Sequence, residues 1–555
     1  MTLLFGFFVQ SNFAQETSTG RNNPVPGAAD KGKTSTVLEP EQFQHYIDSF
    51  NADDDETVKQ FYPNDKAWEF LSNNMPLLDY PDKELERTYY FRWWTYRKHI
   101  KSTPDGFVVT EFHPNVSWAG KHNAISCPAG HHYREGRWLR DSKFLNDYSV
   151  FWLRKGGAVQ TYSMCLADSI LQHAAVTGDV TLAKDLLPDL VKNFEAWEKR
   201  RRDANGLFWQ EGGQDGMEVS VAEAVLKTTH HYRATINSYM FAEANAITNI
   251  AKLAGNTELA ERFTKEAERL RHLLHEKLWD AEAGFYKVAP RVKNADDKLT
   301  LVDVRELHGY TPWYFVDLMP TKDRNIAWKQ LTDPKGFFAH FGPTTAEQRH
   351  SGFQISYKGH ECQWNGPSWP FATSITLTAL ANLICREKNS GADVADLQKA
   401  YLQTLECYVQ SHHWTREDGK TVMWIDENIN PFTGDWIART RLKTWKNGTW
   451  DPEKGGIERG KDYNHSSFCD LVINGLIGFR PLLENAFEVC PLVPPEVEYF
   501  ALDKLRYHGK DITIIWDKNG SRYQKSVGFR VMIDGTEALH LEHLPVHPVT
   551  VELNH

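Results

Sequence analysis

The sequence predicts a mainly α-helical protein whose helical hairpins close into a toroid, followed by a small all-β domain. Paired apolar stretches at helical spacing are the first sign. The second is a turn built on Asp or Glu and Gly, met three times after such a pair and each time leading into aromatics. The third is a change past about Pro481 to short alternating runs separated by turn signals.

Taken in order, residues 1–36 open with the apolar Met1 to Val9 and a polar Ala14-Gln15, similar to a signal-peptide core and cleavage site. They continue in a Ser/Asn/Pro/Gly-rich stretch expected to be disordered. Export to the periplasm or outside the cell is the expectation. No stretch is long and apolar enough to span a bilayer.

Residues 37–480 are read as the catalytic domain with an N-terminal extension. Within it Ala158 to Thr177 is apolar at helical spacing, breaks at Gly178-Asp179, and resumes as Leu182 to Arg202. Thr235 to Ala254 breaks at Gly255-Asn256 and resumes as Leu259 to Leu278, and Pro370 to Glu387 breaks near Gly391 and resumes as Val394 to Gln410. Each pair reads as an apolar inner helix, a tight turn and an amphipathic outer helix. Long, unequal insertions between pairs favour a closed ring over a solenoid. Residues 481–555 form a β-sandwich-like domain, with strands expected at 502–507, 512–516, 527–533 and 549–553.

The net charge of −10 and the lack of a Lys/Arg-rich stripe exclude nucleic acid as the main partner. The seven cysteines are scattered with no Cys-x-x-Cys, so neither a zinc cage nor a redox pair is signalled. His122, His131 and His132 near Glu135 and Asp141 match no metal-ligand spacing. No cofactor or metal is expected. The 19 Trp are many for a core alone, and Trp beside Asn, Gly and carboxylates suits stacking on sugar rings.

Hydrolysing a glycosidic bond takes one carboxylic acid to protonate the leaving oxygen and one carboxylate to activate water or attack the anomeric carbon. Asp215 follows the first turn, in Gln210-Glu211-Gly212-Gly213-Gln214-Asp215-Gly216 after Phe208 and Trp209. Glu427 follows the third, beside Trp424. A lone loop Asp usually caps a helix or binds backbone amides; two carboxylates at matching points among aromatics point to chemistry. Glu211, Glu218 and Asp426 compete for the same roles. The middle turn runs from Tyr286 into Lys287-Val288-Ala289-Pro290 without a carboxylate and is left to shape the pocket.

Trp364-Asn365-Gly366-Pro367-Ser368-Trp369, Glu211-Gly212-Gly213-Gln214-Asp215 and Asp426-Glu427-Asn428-Ile429-Asn430-Pro431-Phe432-Thr433-Gly434 are joined by Tyr463-Asn464-His465-Ser466 near the end of the helical part. Together they resemble the motifs of glycoside hydrolase family 63 and its mannosylglycerate hydrolase-like relatives. The resemblance, covering roughly Ala158 to Gly478, implies an (α/α)6 barrel and an inverting mechanism with Asp215 as general acid and Glu427 as general base. The expected activity is exo-hydrolysis of an α-linked sugar from an oligosaccharide or glycoside. Trp118, His122, Trp209, Gln214, Tyr310, Trp364, Asn365, Trp369, Trp424 and His465 are the expected substrate contacts.

Two other enzyme classes use such barrels, and fold alone does not choose. A polysaccharide lyase would draw on Tyr90, Arg92, His131 and Arg137, and a sugar epimerase on His360 and His465. A non-catalytic glycan-binding protein would keep the Trp without needing both carboxylates.

Overall fold

The structure, a computed structural model, describes residues 37–294, 297–355, 360–444 and 451–553. The expected leader and disordered segment lie outside the described residues. The described residues are mainly helical, with short strands between the helices and the largest sheet in the C-terminal part.

The three expected helix pairs are Leu166–Thr177 with Thr181–Arg201, Ala234–Leu253 with Thr257–Lys277, and Pro370–Asn389 with Ala395–Gln410. Local chemistry sets their ends. Gly178 takes the left-handed conformation that closes the first inner helix, at φ 74°. Asn256 caps the second outer helix by accepting from the Leu259 amide. Pro370 starts the third inner helix at a position where no amide donor is needed. The outer helix Thr257–Lys277 buries only Ala260, Phe263, Ala267, Leu270 and Leu274, a single stripe, whereas Ala234–Leu253 is buried nearly all round. The first pair begins later than its composition suggests. Residues before Leu166 are not helical, because they are used elsewhere: the Ser163 amide donates to the Gln214 carbonyl at 2.9 Å.

Inner helices pack side by side in chain order, Ala129–Gly136 on Leu166–Thr177, that on Ala234–Leu253, then Thr311–Tyr314, Pro370–Asn389 and the π-helical Leu471–Leu476. The last meets the first through one buried carboxylate. Glu135 accepts from the amides of Phe468, Cys469 and Asp470 at 2.7, 2.9 and 2.7 Å, satisfying donors that a helix start leaves open. Arg137 and Trp138 add bonds of 2.7 and 2.8 Å to the Asp470 carboxylate.

The repeated turn is a repeated short hairpin. It is a single bridge between Arg202 and Phe208 after the first outer helix, Trp279–Asp280 against Phe285–Tyr286 after the second, and His413–Thr415 against Thr421–Met423 after the third. Each hairpin turns at a glycine with positive φ: Gly206, Gly284 and Gly419.

The C-terminal part holds strands Tyr499–Tyr507, Lys510–Asp517, Gly528–Ile533 and Thr536–Leu541 in one antiparallel sheet. Leu77–Asp79 joins that sheet by pairing with Ala501–Asp503, a contact across more than 400 residues that local pattern does not reveal. Phe479–Pro481, Ala486–Val489 and Val549–Glu552 form a second sheet. Tyr507 joins the two, donating to the Ala486 carbonyl at 2.7 Å and packing its ring on Phe479 and Phe487. A disulfide between Cys385 and Cys490 ties the third inner helix to this region.

Candidate active site

Two carboxylates from different motifs face a cavity of about 440 Å³. Glu218 and Glu427 line it, together with Glu111, Trp118, Tyr162, Gln214, Cys362, Arg459 and Tyr463.

Glu218 sits at the end of a loop that glycine shapes. Gly213–Asp215 makes one 3-10 turn, and Gly216 ends it with φ 77°; a Cβ there would lie 3.2 Å from the Cys127 sulfur. Val219 then pairs with Gln363, and the Trp364 amide donates to the Val219 carbonyl at 2.8 Å. This pairing brings the Trp364 indole N–H to 3.0 Å from the Glu218 carboxylate. The indole is held by stacking on Trp369 at 4.3 Å, and Trp369 in turn donates to the Gln363 carbonyl at 2.6 Å. Burial pushes the Glu218 carboxyl up to about 7, while the Trp364 bond works in the opposite direction.

Glu427 is fixed by the residue before it. The Asp426 carboxylate accepts from the Glu427 amide at 2.9 Å and from Arg439 at 2.8 Å. Gly460, with φ 74°, leaves it room: a Cβ there would stand 2.0 Å from an Asp426 oxygen. Paired N–H···O bonds of 3.0 Å between Ser368 and Ile429 attach this segment to the Trp364–Trp369 motif. The Glu427 carboxylate meets Arg459 at 2.8 Å and the Cys362 sulfur at 3.7 Å. Burial raises the Glu427 carboxyl above the ordinary range, and the Arg459 guanidinium opposes that rise.

Arg459 is the hub of this wall. It bridges Glu427 and Glu361, at 2.8 Å each, and lies 4.7 Å over the Trp118 ring. Its charge also holds Glu361, otherwise raised by burial, down to about 2. Glu111, hydrogen-bonded by the Tyr463 hydroxyl, is pushed by burial up to about 8. The site thus combines carboxyl groups that stay protonated near neutrality with carboxylates paired to a cation. Buried titratable groups displaced in opposite directions around one cavity are what acid–base chemistry requires.

The expected residues divide into those that reach the cavity and those that do not. Trp118, Gln214 and Glu427 line it, and Trp364 and Trp369 back it through Glu218. Asp215 lies behind the wall, 5% exposed, bound by the Thr235 hydroxyl and raised by burial to about 6. Asn365 and His465 are buried close behind the same motifs, His465 with its ring 3.9 Å from that of Tyr463. Four expected contacts lie elsewhere for clear reasons. His122 is drawn to the Asp105 carboxylate at 2.7 Å, Trp209 is stacked between Arg201 and Arg291, and Trp424 is covered by Arg439. Tyr310 is core, stacked at 4.1 Å on Trp328. The residues that would serve a lyase, Tyr90, Arg92, His131 and Arg137, are all buried outside this cavity; of the pair that would serve an epimerase, His360 lines it and His465 does not.

Glu111, Tyr162, Glu361, Cys362, Arg459 and Tyr463 escaped sequence reasoning as site residues. Glu361, Cys362 and Tyr463 stand inside segments already marked by their aromatics and glycines. Glu111 and Arg459 carry no local signal.

A second cavity, of about 610 Å³, lies among Arg134, Asp168, Asn245, Tyr314, Asn382 and Arg480 at the other ends of the inner helices. It is larger, but none of the motif residues lines it.

Comparison with known proteins agrees with the motifs. A family model described as the mannosylglycerate hydrolase MGH1-like glycoside hydrolase domain matches residues 121–466, and one for the C-terminal domain of glycosyl hydrolase family 65 matches residues 479–540. A solved structure named as a sialidase is 37% identical over 93% of this chain, with a TM-score of 0.82; the chain spans 45% of that protein's length. The family 63 mannosylglycerate hydrolase of Thermus thermophilus is 13% identical, covering 60% of this chain and 92% of that one, with a TM-score of 0.43.

Proposed function

Because the chain belongs to the mannosylglycerate hydrolase MGH1-like glycoside hydrolase family, we propose that it hydrolyses a glycosidic bond with Glu218 as general acid and Glu427 as the catalytic carboxylate. The observation that carries this reading is that both groups face one cavity in different electrostatic settings. Glu218 has an indole donor and a carboxyl raised to about 7, so it holds a proton to give. Glu427 has a guanidinium at 2.8 Å, which favours the charged form a base needs. Asp215, the acid that the motif resemblance implies, is the alternative, since the two sit three residues apart on one loop.

The six inner helical elements, with the three outer helices paired to them, support an (α/α)6 toroid. The motif resemblance supports removal of a terminal sugar, inversion and an α-linkage. The Cys385–Cys490 disulfide supports export, since such bonds persist in oxidising compartments. NMR of the first product tests the mechanism: the anomer opposite to the substrate's is expected, and retention would overturn inversion. Reducing sugar released from no glycan by the full chain would overturn hydrolysis itself.

A further inference from the structure

The cavity is lined by six carboxyl groups, Glu111, Glu211, Glu218, Glu223, Glu361 and Glu427. Its cations among the described residues are two, and both are engaged. Arg459 gives its Nε to Glu427 and its Nη1 to Glu361 at 2.8 Å each, and Lys454 stands 3.6 Å from Glu361. His360, also at the wall, lies 3.9 Å from Glu361. Glu211 is met by Arg201 at 3.4 Å from outside the lining.

A sugar carboxylate is bound well where a guanidinium offers two parallel N–H groups. Here the buried guanidinium is forked between two protein carboxylates. A uronic or sialic acid would set its charge beside Glu361 and Glu427, which already share that one guanidinium in a buried wall, where like charges repel strongly. The remaining wall suits hydroxyl groups: Tyr162, Gln214 and Thr229 offer neutral donors and acceptors, and Trp118, more than a third exposed, offers a ring face.

We propose that this cavity accepts a terminal sugar without a carboxyl group and turns away uronic and sialic acid residues. The proposal rests on the reading of the cavity as a glycosidase site. It also separates this chain from what the name of its longer, sialidase-named relative would suggest.

The test digests a mixed panel of plant, microbial and animal glycans with the full chain and separates the released monosaccharides by anion exchange. Thermal shift with free neutral sugars, glucuronate, galacturonate and N-acetylneuraminate runs alongside. Neutral sugar should be released at least about 100-fold faster than any acidic one, and only neutral sugars should raise the melting temperature. Acidic sugar released or bound as well as neutral overturns the proposal while leaving hydrolysis intact. Neutral binding without any release keeps the selectivity and overturns hydrolysis. Neither release nor binding overturns both.

Discussion

Replacing Arg459 by Met should displace the pH dependence of the enzyme in a calculable direction. Arg459 sits 2.8 Å from Glu427 and 2.8 Å from Glu361, with all three side chains nearly inaccessible. Opposite charges about 4 Å apart interact by about 4 kcal/mol at an effective dielectric near 20, equivalent to roughly 3 pKa units. Sharing with Glu361 and entry of water into the gap reduce that, so a rise of about 1–2 units in the Glu427 carboxyl is expected. A base works only when ionised, so the acidic limb of kcat/KM should move to higher pH by that amount. The two carboxylates left behind should also cost about 3–5 kcal/mol of stability unless they take up protons. Arg459→Lys keeps the charge without the fork and should recover most of the pH shift but little of the geometry. The assay is kcat/KM against pH for wild type and both variants, with thermal melts as a folding control. An unmoved acidic limb in a folded Arg459→Met protein would refute the claim that this ion pair keeps Glu427 ionised.

Trp364→Phe removes the donor that favours charged Glu218, so the basic limb of kcat/KM should rise by about one unit, read from the same profile. Stability should peak near pH 6.5. His132, His173 and His275 are each depressed by burial to about 4, and His231 and His308 to about 3; their unfolded forms bind protons first, so stability rises with pH up to about 6.5. Glu111 and Glu243, raised to about 8, and Glu218, raised to about 7, hold protons that the unfolded chain releases from about pH 4.5 upward; the five histidines outweigh these three up to about pH 6.5, and beyond it stability falls to about pH 8. Melting temperature against pH checks both slopes, and a plateau to pH 9 would contradict the second. Cys385→Ser opens a link across 105 residues and should cost about 2–4 kcal/mol, measured by denaturant melts with and without reductant.

Much of the helical framework was legible because the inner helices of the three pairs are largely apolar and their outer helices each carry an apolar stripe, whereas the inner helix Ala129–Gly136 is rich in His, Arg and Glu and carries no such pattern. The three turns were legible too, since glycine with positive φ beside an acidic residue has few other uses. The site was legible only in part. Asp215, Glu218 and Glu427 all lie on segments marked by glycine and aromatics, but spacing cannot say which carboxylate points into the cavity. That is decided by the pairing of Val219 with Gln363, a contact across 144 positions. Trp209 and Trp424 stand beside the right motifs, yet their faces are taken by Arg291, 82 positions on, and Arg439, 15 positions on. Glu111 and Arg459 are brought to the wall by chain segments more than 340 residues apart, and no local pattern anticipates that.

The central claim is that Glu218 and Glu427 carry the reaction, and the direct measurement is kcat/KM for Glu218→Gln, Glu427→Gln and Asp215→Asn on the same released-sugar assay. Losses of about a thousandfold or more are expected for the two glutamine variants and a far smaller loss for Asp215→Asn. An aryl glycoside with a good leaving group, which needs little protonation, should restore much of the activity of Glu218→Gln but none of that of Glu427→Gln. Near-normal turnover by folded Glu218→Gln, with Asp215→Asn inactive and rescued by the same leaving group, would contradict the claim and place the acid at Asp215.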